Sequence, residues 1–303
     1  MKNVLLTIEY DGTAFSGWQR QPGQRTVQGE LERVLSLLCR FPVRIDGTGR
    51  TDAGVHAMGQ RASFSGDFGI PVDRIPAAAN DLLAVSRQKT GDIRIVTAEE
   101  MPEGFHARHN AVGKTYLYRI YNREYMPVFL RNYFYHVSRP LDVDRMKEAA
   151  VFYEGTRDFR SFMTDASAFE GSTVKTIYSA QVLDTDEEIS FAVTGSGFLY
   201  NMVRIMTGTL VDVGLGKLAP ADMAGILEAC SRSEAGHTAP PQGLYMAEVY
   251  FSGEAVRTGV EKYRQPFSER KKDRATGPED KCSSGPAAAG CLREGCGTGS
   301  SRD

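Results

Sequence analysis

Apolar and polar positions along the first half of the chain predict a mixture of strands and helices. Residues 3–10 alternate and end at Asp11-Gly12, as a strand followed by a turn does. Thr26 is a predicted helix N-cap, because five apolar residues follow it at helical spacing, namely Val27, Leu31, Val34, Leu35 and Leu38. The remaining apolar runs predict a short strand at Val43–Ile45, a strand at Val55–Phe64, a helix at Pro71–Ala79 and a strand at Asp92–Thr97.

The second half shows a similar mixture. Lys114–Tyr121 is rich in aromatic and β-branched residues and predicts a strand. Asp142 is expected to cap a helix with an apolar face. Because hairpin signals replace a strict strand–helix alternation, we expect an α+β fold with mainly antiparallel pairing. The other predicted elements are strands at Thr173–Leu183, Glu188–Val193 and Leu244–Tyr250 and helices at Gly197–Val213 and Pro220–Cys230.

The apolar periodicity ends near Phe251. Residues 268–281 are charged, and the residues after them are mainly Gly, Ser, Ala and Cys. Because such a composition buries too little apolar surface to offset the entropy of ordering, we predict a disordered tail over residues 252–303. The preceding chain is predicted to divide into two α+β halves, residues 1–103 and 104–251.

Composition and charge narrow the class of protein. The 303 residues carry 36 Lys and Arg against 38 Asp and Glu, so any nucleic-acid partner must be held by local basic patches. No apolar run approaches the ~18 residues of a membrane span, and the N-terminus turns polar at Glu9, too early for a signal peptide. Five cysteines suggest no secreted disulfide framework, so a reduced, cytoplasmic protein is expected.

The segment from Ile45 to His56 is the most unusual in the chain. Its three glycines permit tight turns and close approach of a ligand, and Arg50 and Asp52 lie between them. The Gly-Lys-Ser/Thr ending of a phosphate loop and the third glycine of a dinucleotide fingerprint are both missing. Arg50 and Asp52 could simply close a surface hairpin, but the apolar flanks favour a functional loop anchored by buried strands.

Arg204 is the predicted partner of Asp52. It lies on a helix whose surrounding positions are apolar or small rather than charged, including Tyr200, Gly208 and Val211. A guanidinium in such surroundings needs an acidic partner or an anionic ligand. The alternative is an arginine that extends its head group to water.

Two stretches without acidic residues supply the local basic patches. From Gly104 to Arg123 and from Ala14 to Gly29, cations are interleaved with aromatic side chains, as suits phosphates and stacked bases. Simple core packing is the alternative for one of Tyr116 and Tyr118. The first stretch contains Arg108, Lys114, Arg119, Arg123, Tyr116, Tyr118 and Tyr121, and the second contains Trp18, Arg20 and Arg25.

Together these stretches resemble the tRNA pseudouridine synthase A family. Order and spacing agree over about residues 3–250, with no counterpart for the tail, and the one small departure is Arg157, where the family often has His. The matching motifs are Glu9-Tyr-Asp-Gly-Thr13, Gly17-Trp-Gln-Arg-Gln21, Gly49-Arg-Thr-Asp-Ala-Gly-Val-His56, Phe105-His-Ala-Arg108, Lys114-Thr-Tyr116, Asp158-Phe-Arg-Ser-Phe162, Phe198-x-x-Asn-Met-Val-Arg204 and Ala239-Pro-Pro-Gln-Gly-Leu-Tyr245.

The resemblance implies isomerisation of uridine to pseudouridine at positions 38, 39 and 40 of the tRNA anticodon stem-loop. It implies a homodimer that needs no metal or cofactor, with a central sheet built from two RNA-recognition-like, ferredoxin-like halves and a catalytic cleft between them. No membrane and no small-molecule cofactor is expected among its partners.

The resemblance also assigns roles to individual residues. Asp52 matches the catalytic aspartate, as nucleophile or as base, and the sequence leaves these two roles open. Arg204 would pair with Asp52 and keep it ionised, and Tyr116 would stack on the target uracil and help remove the C5 proton. Arg50 would fill the space of the flipped nucleotide. Other substrate-binding residues are expected to be His56, which could instead brace the loop, and Arg20, Arg108 and Lys114.

Two other classes of protein compete with this reading. A non-catalytic RNA-binding module would explain the basic and aromatic strands but not an isolated Asp52 opposite a semi-buried arginine. A glycoside-type hydrolase would use Asp46 and Asp52 as its carboxylate pair and would release free uracil.

Overall fold

The computed structural model describes residues 1–84, 91–164, 169–185 and 188–264. In these residues the strands are β1 (Lys2–Tyr10), β2 (Asp46–Gly47), β3 (His56–Gly66), β4 (Ile93–Met101), β5 (Gly113–Tyr121), β6 (Tyr135–His136), β7 (Gly155–Asp158), β8 (Val174–Asp184), β9 (Glu188–Gly195) and β10 (Leu244–Tyr250). The α-helices are α1 (Val27–Cys39), α2 (Ile75–Leu83), α3 (Ala107–Asn110), α4 (Val143–Ala150), α5 (Met202–Gly214), α6 (Asp222–Ala229) and α7 (Gly253–Lys262).

The described strands form one sheet in the order β4-β1-β3-β10-β5-β9-β8-β7, with β2 beside β3 and β6 beside β5. Along this order every pair is antiparallel except β3 with β10, where Tyr245 lies opposite His56 in parallel register. The expected α+β class and mainly antiparallel sheet are confirmed. The two predicted halves meet at β10, which lies between β3 and β5; that they are separate domains stays a prediction.

Helices cover the two faces of the sheet unequally. The larger core lies on one face and includes apolar residues of α1, α2, α4 and α5, so the amphipathic helices predicted from spacing are buried where expected. A smaller cluster lies on the other face and consists of Leu117, Ala192, Tyr245, Ala247 and Tyr263. Helix α7, which precedes Tyr263, packs on β5, β9 and β10.

Helix α7 corrects the predicted start of the disordered tail at residue 252. Ser252 caps this helix through a hydrogen bond from the Ala255 amide, and Val256 and Tyr263 are buried. This helix has only ten residues, so too few apolar positions repeat for its packed face to be recognised from the sequence. The rest of the predicted tail, residues 265–303, lies outside the described residues.

Other elements also differ from the predictions, and helix α3 and strand β6 were not predicted at all. The short strand expected at Val43–Ile45 is instead β2, at Asp46–Gly47. Strand β7 was not predicted, because only four largely exposed residues form it. Helix α5 begins at Met202 rather than Gly197, because Asn201 adopts a left-handed conformation with φ 60° that cannot continue a right-handed helix.

No helix in the described part of the chain is long and apolar enough to cross a membrane.

Candidate active site

The segment from Asp46 to His56 joins β2 to β3, and protein contacts hold it on several sides. Thr48 donates its amide to the carbonyl of Arg61 and its hydroxyl to Gln60 Oε1. The Thr51 hydroxyl hydrogen-bonds the buried Tyr10 phenol, at 2.7 Å between the oxygens. Gly54 turns the chain after Asp52 at φ 79°, a left-handed conformation that suits glycine. The predicted loop is therefore an ordered segment that fixes the direction of the Asp52 side chain.

The Asp52 carboxylate pairs with Arg204, as the sequence predicted. Arg204 Nη1 lies 3.0 Å from Asp52 Oδ2, and the two side chains are 16% and 27% exposed, respectively. Within the described residues no hydrogen bond reaches Asp52 Oδ1. One carboxylate oxygen is therefore held by the guanidinium, while the other is free to meet a substrate.

Helix α5 brings Arg204 to this position from 152 residues away in the chain. All of its residues are buried except Arg204, which is half-buried, so the helix is not a solvated surface element. Gly208 allows α5 to approach the segment before β10 closely, since a Cβ there would lie 1.8 Å from the His237 carbonyl oxygen. This approach lets Arg204 Nε donate to the Ala239 carbonyl at 2.8 Å. Arg204 is thus anchored at both ends of its guanidinium, and the alternative of an arginine extended into water is wrong.

Asp52 and Arg204 line a cavity of about 960 Å³ between residues of the two predicted halves. Tyr116 lines the same cavity and packs edge-on against Phe198, with 5.0 Å between the ring centroids. Burial, with Tyr10 and Asp52 adding to it, raises the pKa of Tyr116 well above its usual range. Its phenol is therefore protonated in the free protein and presents a ring and an O–H donor rather than a phenolate.

Tyr118 has the core position that was considered for one of the two tyrosines. It is fully buried, and its phenol donates to the Pro240 carbonyl at 2.6 Å. Tyr116 and Tyr118 alternate with Leu117 along β5 and so share one face of the strand. Only Tyr116 reaches the cavity.

Three of the predicted substrate-binding cations line the cavity, namely Arg50, Arg108 and Lys114. Arg50 and Arg108 are exposed, and neither forms an ion pair with another residue of the described segments. Lys114 Nζ instead donates to the Thr48 carbonyl. Burial, with the nearby Arg108 contributing, lowers the pKa of Lys114 to about 8. The cavity thus combines two guanidiniums that form no ion pair within the described segments with one ammonium whose pKa is lowered to about 8.

Arg20 lies beside this cavity rather than in its lining. Its side chain is 53% exposed, and Nη1 lies 3.7 Å from Glu32 Oε2. Arg25 and Arg119, from the same basic stretches, are engaged by Asp92 and Glu188, respectively. The cations of the two basic stretches therefore form two groups: those at or beside the cavity, and those, such as Arg25 and Arg119, that are paired with acidic residues elsewhere.

His56, predicted either to bind substrate or to brace the loop, is not in the lining of this cavity. It is 2% exposed and stacks on Tyr245 with 4.7 Å between the ring centroids. Burial lowers the pKa of His56, although nearby Asp11 opposes the shift, so the ring is neutral. Nε2 then donates to the Asn132 carbonyl, and Nδ1 accepts from the Gly12 amide. The position favours the alternative role, bracing of the loop, because both ring nitrogens are used inside the protein.

Asn201 lies in one of the matching motifs, but the sequence analysis gave it no role in the site. Its side-chain oxygen accepts a hydrogen bond from Arg204 Nη1 at 2.7 Å, and its amide nitrogen donates to Thr164 Oγ1. The sequence signal was an asparagine three residues before the arginine, a spacing that places both on one side of a helix start. Tyr200, which is 53% exposed and lines the cavity, was noted only as a neighbour of Arg204.

No cluster of three or more His, Cys, Asp and Glu side chains that could hold a metal ion occurs in the described segments. The hydrolase hypothesis used Asp46 and Asp52 as its carboxylate pair, and both residues line the cavity. The Asp46 side chain is largely exposed, and its Oδ2 lies 3.5 Å from His106 Nε2.

Comparison with known proteins adds a family to this geometry. A family model described as tRNA pseudouridine synthase matches residues 6–110 and 149–252, more than half of the chain. A tRNA pseudouridine synthase A of Caldicellulosiruptor bescii is 45% identical over 251 residues, 83% of this chain and all of the relative. A tRNA pseudouridine synthase A of Bacillus subtilis is 46% identical over 250 residues, 82% of this chain and 98% of the relative.

Among solved structures, the one titled "Crystal Structure of a Cbf5-Nop10-Gar1 Complex" is similar at a TM-score of 0.31 and 11% identity, covering 68% of this chain and 54% of that chain. That similarity is too remote to support an argument about function.

The matched family and the cleft with its single paired carboxylate define the chain as a pseudouridine synthase, an isomerase that acts on tRNA. Within that class, the chain belongs to the tRNA pseudouridine synthase A family. The resemblance indicated by the sequence motifs is confirmed.

Proposed function

We propose that this protein isomerises uridine to pseudouridine at positions 38, 39 and 40 of the tRNA anticodon stem-loop, with Asp52 as nucleophile or base. The observation that carries the proposal is the Asp52 carboxylate in the cavity, with Oδ2 bonded to Arg204 and with no donor to Oδ1 among the described residues. The relatives named tRNA pseudouridine synthase A support the reaction class.

The reaction breaks the N1–C1′ bond of uridine, turns the base and joins C5 to C1′. No atom is gained or lost overall: the proton of C5 is released, and N1 takes up a proton. Asp52 acts on the ribose–base unit through the free Oδ1, as nucleophile or as base. Arg204 keeps the carboxylate directed into the cleft through Oδ2, and no redox partner or energy source is required.

Tyr116 and Arg50 handle the base. The target uridine must leave its stack to reach Asp52, which costs a few kcal/mol. The Tyr116 ring, buried beside Asp52 in the cavity, would stack on the uracil. Arg50 is exposed and has no ion-pair partner within the described residues, so it is free to occupy the space left by the flipped nucleotide. Because its phenol is protonated, Tyr116 could remove the C5 proton only if substrate binding changed that protonation state.

Asp52→Asn tests the assignment of Asp52. This variant keeps a side chain of the same size but removes the charge, so it should bind tRNA with near wild-type affinity and lose at least about 100-fold in rate. Release of tritium from tRNA labelled at C5 of uridine measures the rate, and pseudouridine mapping at positions 38, 39 and 40 checks the site.

Glu188→Gln is the matched control. It makes the same acid-to-amide change in a carboxylate outside the cleft and should keep wild-type tritium release per folded molecule. Near wild-type release by Asp52→Asn would refute the role of Asp52. Pseudouridine at other tRNA positions, with none at 38 to 40, would refute the proposed site.

The family resemblance also leads us to propose a cytoplasmic homodimer. Light scattering on the full chain should give the mass of two copies, and a monomer mass at micromolar concentration would contradict this.

A further inference from the structure

We propose that Asn201 is a positioning residue of the active site, whose side-chain amide holds the Arg204 guanidinium in the orientation that contacts Asp52. This inference rests on the proposed function, because it assigns the effect of Asn201 to the reaction carried by Asp52. Asn201 acts through Arg204 and does not itself contact the carboxylate in the described structure.

The backbone at Asn201 is the first observation. It lies immediately before α5 with φ 60° and ψ 5°, in the left-handed region, where residues other than glycine are uncommon and asparagine is enriched. An asparagine before a helix ordinarily caps the first turn with its side chain. Asn201 forms no such capping hydrogen bond. Its amide is therefore turned away from the helix start and is available for another task.

The hydrogen bonds of that amide are the second observation. Arginine is only a donor, so the atom facing Arg204 Nη1 at 2.7 Å must be the amide oxygen of Asn201. The amide nitrogen then donates to Thr164 Oγ1 at 3.1 Å, which fixes the amide plane. Both groups of the amide are used, and the oxygen is held in one place.

Arg204 Nη1 has two hydrogens, and Asn201 and Asp52 accept one each. Nε of Arg204 donates to the Ala239 carbonyl, which fixes the guanidinium near its root. Ala239 and Asn201 together allow one rotation of the guanidinium plane, and in that rotation the remaining Nη1 hydrogen points to Asp52. Removal of the Asn201 oxygen would leave the plane free to turn about its Nε contact.

An amide suits this position better than a carboxylate. The Asn201 oxygen is a neutral acceptor and orients Arg204 without competing strongly for its charge. An aspartate would form a charge-assisted bond with the same nitrogen and would add a negative charge beside Asp52. The neutral group therefore leaves the positive charge of Arg204 for Asp52.

Asn201→Gly tests the proposal without disturbing the backbone, because glycine adopts the left-handed conformation readily. We expect kcat to fall about 10- to 100-fold, from loss of one hydrogen bond to a charged group, while KM and tRNA affinity change less than threefold. Cys230→Gly is the matched control, since Cys230 also has a positive φ, 48°, at the end of α6 and does not line the cavity. Its kcat should be unchanged. Wild-type kcat in Asn201→Gly would overturn the proposal.

A double-mutant cycle separates positioning from any other role. If Asn201 acts through Arg204, Asn201→Gly should cost less than about threefold in kcat when Arg204 is already lysine. The full loss on that background would overturn the proposal. A crystal structure of Asn201→Gly gives a readout besides activity: Arg204 Nη1 should move beyond hydrogen-bond range of Asp52 Oδ2, and an unchanged 3.0 Å would overturn the proposal.

These outcomes are distinguishable from failure of the proposed function. If Asp52→Asn retains tritium release, the role of Asp52 fails, and the crystal structure of Asn201→Gly still decides whether Asn201 orients Arg204. If Asp52→Asn is inactive and Asn201→Gly is fully active, only the positioning role fails.

Discussion

Two arginine–carboxylate pairs lie on opposite faces of the sheet and use their hydrogen bonds differently. Arg119 donates through Nε and Nη2 to both oxygens of Glu188, each at 2.7 Å. Arg204 reaches one oxygen of Asp52, at 3.0 Å, and divides its remaining contacts between Asn201 and the Ala239 carbonyl. Burial does not separate the two, because both arginine side chains are 16% exposed.

The number of satisfied acceptors separates them instead. Both Glu188 oxygens accept hydrogen bonds from Arg119, whose guanidinium carbon also lies 4.0 Å from the centre of the Phe134 ring. All of these partners belong to the protein, so the pair has a structural role. A bidentate pair of this kind fixes the orientation of the two side chains relative to each other. For Asp52, no residue of the described segments donates to Oδ1. The two pairs therefore differ in whether the carboxylate can accept a further hydrogen bond, and of the two carboxylates Asp52 is the one that lines the cavity.

The largest expected contrast comes from conservative substitution of each arginine. Arg204→Lys keeps the charge but not the fork of donors, so kcat should fall about 10- to 100-fold with little change in thermal stability. Arg119→Lys should lower the free energy of unfolding by about 1–3 kcal/mol while leaving the rate per folded molecule unchanged. Tritium release and urea denaturation measure the two effects, and the opposite pattern would break the comparison.

The pH dependence of tRNA binding gives the next effect. The pKa of Lys114 is lowered by burial to about 8, so its ammonium is charged below that pH and increasingly neutral above it. If Lys114 contacts phosphate, tRNA affinity should fall by about threefold, one ionic contact, as the pH rises from 7 to 9. Lys114→Arg stays charged and should remove most of this fall in a filter-binding titration at constant salt.

A change in the stability of the folded protein cannot explain a fall in tRNA affinity as the pH rises. The folded pKa of Lys114, about 8, lies below its ordinary value of 10.5, so between these pH values the unfolded chain binds more protons. Stability from this group therefore rises with pH, while the affinity falls. An equal loss of affinity in wild type and Lys114→Arg would show that another group titrates.

The smallest expected effect comes from removal of residues 265–303, because every proposed site residue and helix α7 precede them. Truncation after Arg264 should keep tritium release within about twofold of wild type. Truncation after Gly253 also removes most of α7 and uncovers the face that carries Leu117 and Tyr245, so its melting temperature should fall. A folded but inactive truncation after Arg264 would show that the removed residues take part in the reaction.

Much of the fold could be predicted because local periodicity reflects burial. The amphipathic spacing after Thr26 and the apolar run of Lys114–Tyr121 correspond to α1 and β5 within a few residues. Asn201 and α7 could not be predicted in this way. A single left-handed residue leaves no periodic signal, and a short helix among polar residues is stabilised by the surface that it covers.

The candidate site also contains residues that could be predicted from the sequence and residues that could not. The residues themselves singled out Asp52 and Arg204, because a lone carboxylate between glycines and a guanidinium on an apolar helix are unusual, while the role of Tyr116 was implied by the family resemblance. His56 could not be placed, because the motif that contains it borders the cleft on one side and the aromatic cluster of Tyr133 and Tyr245 on the other. Which face a side chain turns to depends on the register of β3 against β10.

By itself, the sequence determined the α+β class from periodicity and the family from its ordered motifs. It also predicted the pairing of Asp52 with Arg204, because a guanidinium among apolar neighbours needs an acidic partner. Only the tertiary structure decided that Arg204 bonds one oxygen of Asp52 and no described residue bonds the other, that Arg119 bonds both oxygens of Glu188, and that Asn201 accepts a hydrogen bond from Arg204. Hydrogen bonds saturate at specific distances and angles, and partners as far apart as residues 52 and 204 acquire those only when the sheet brings them together.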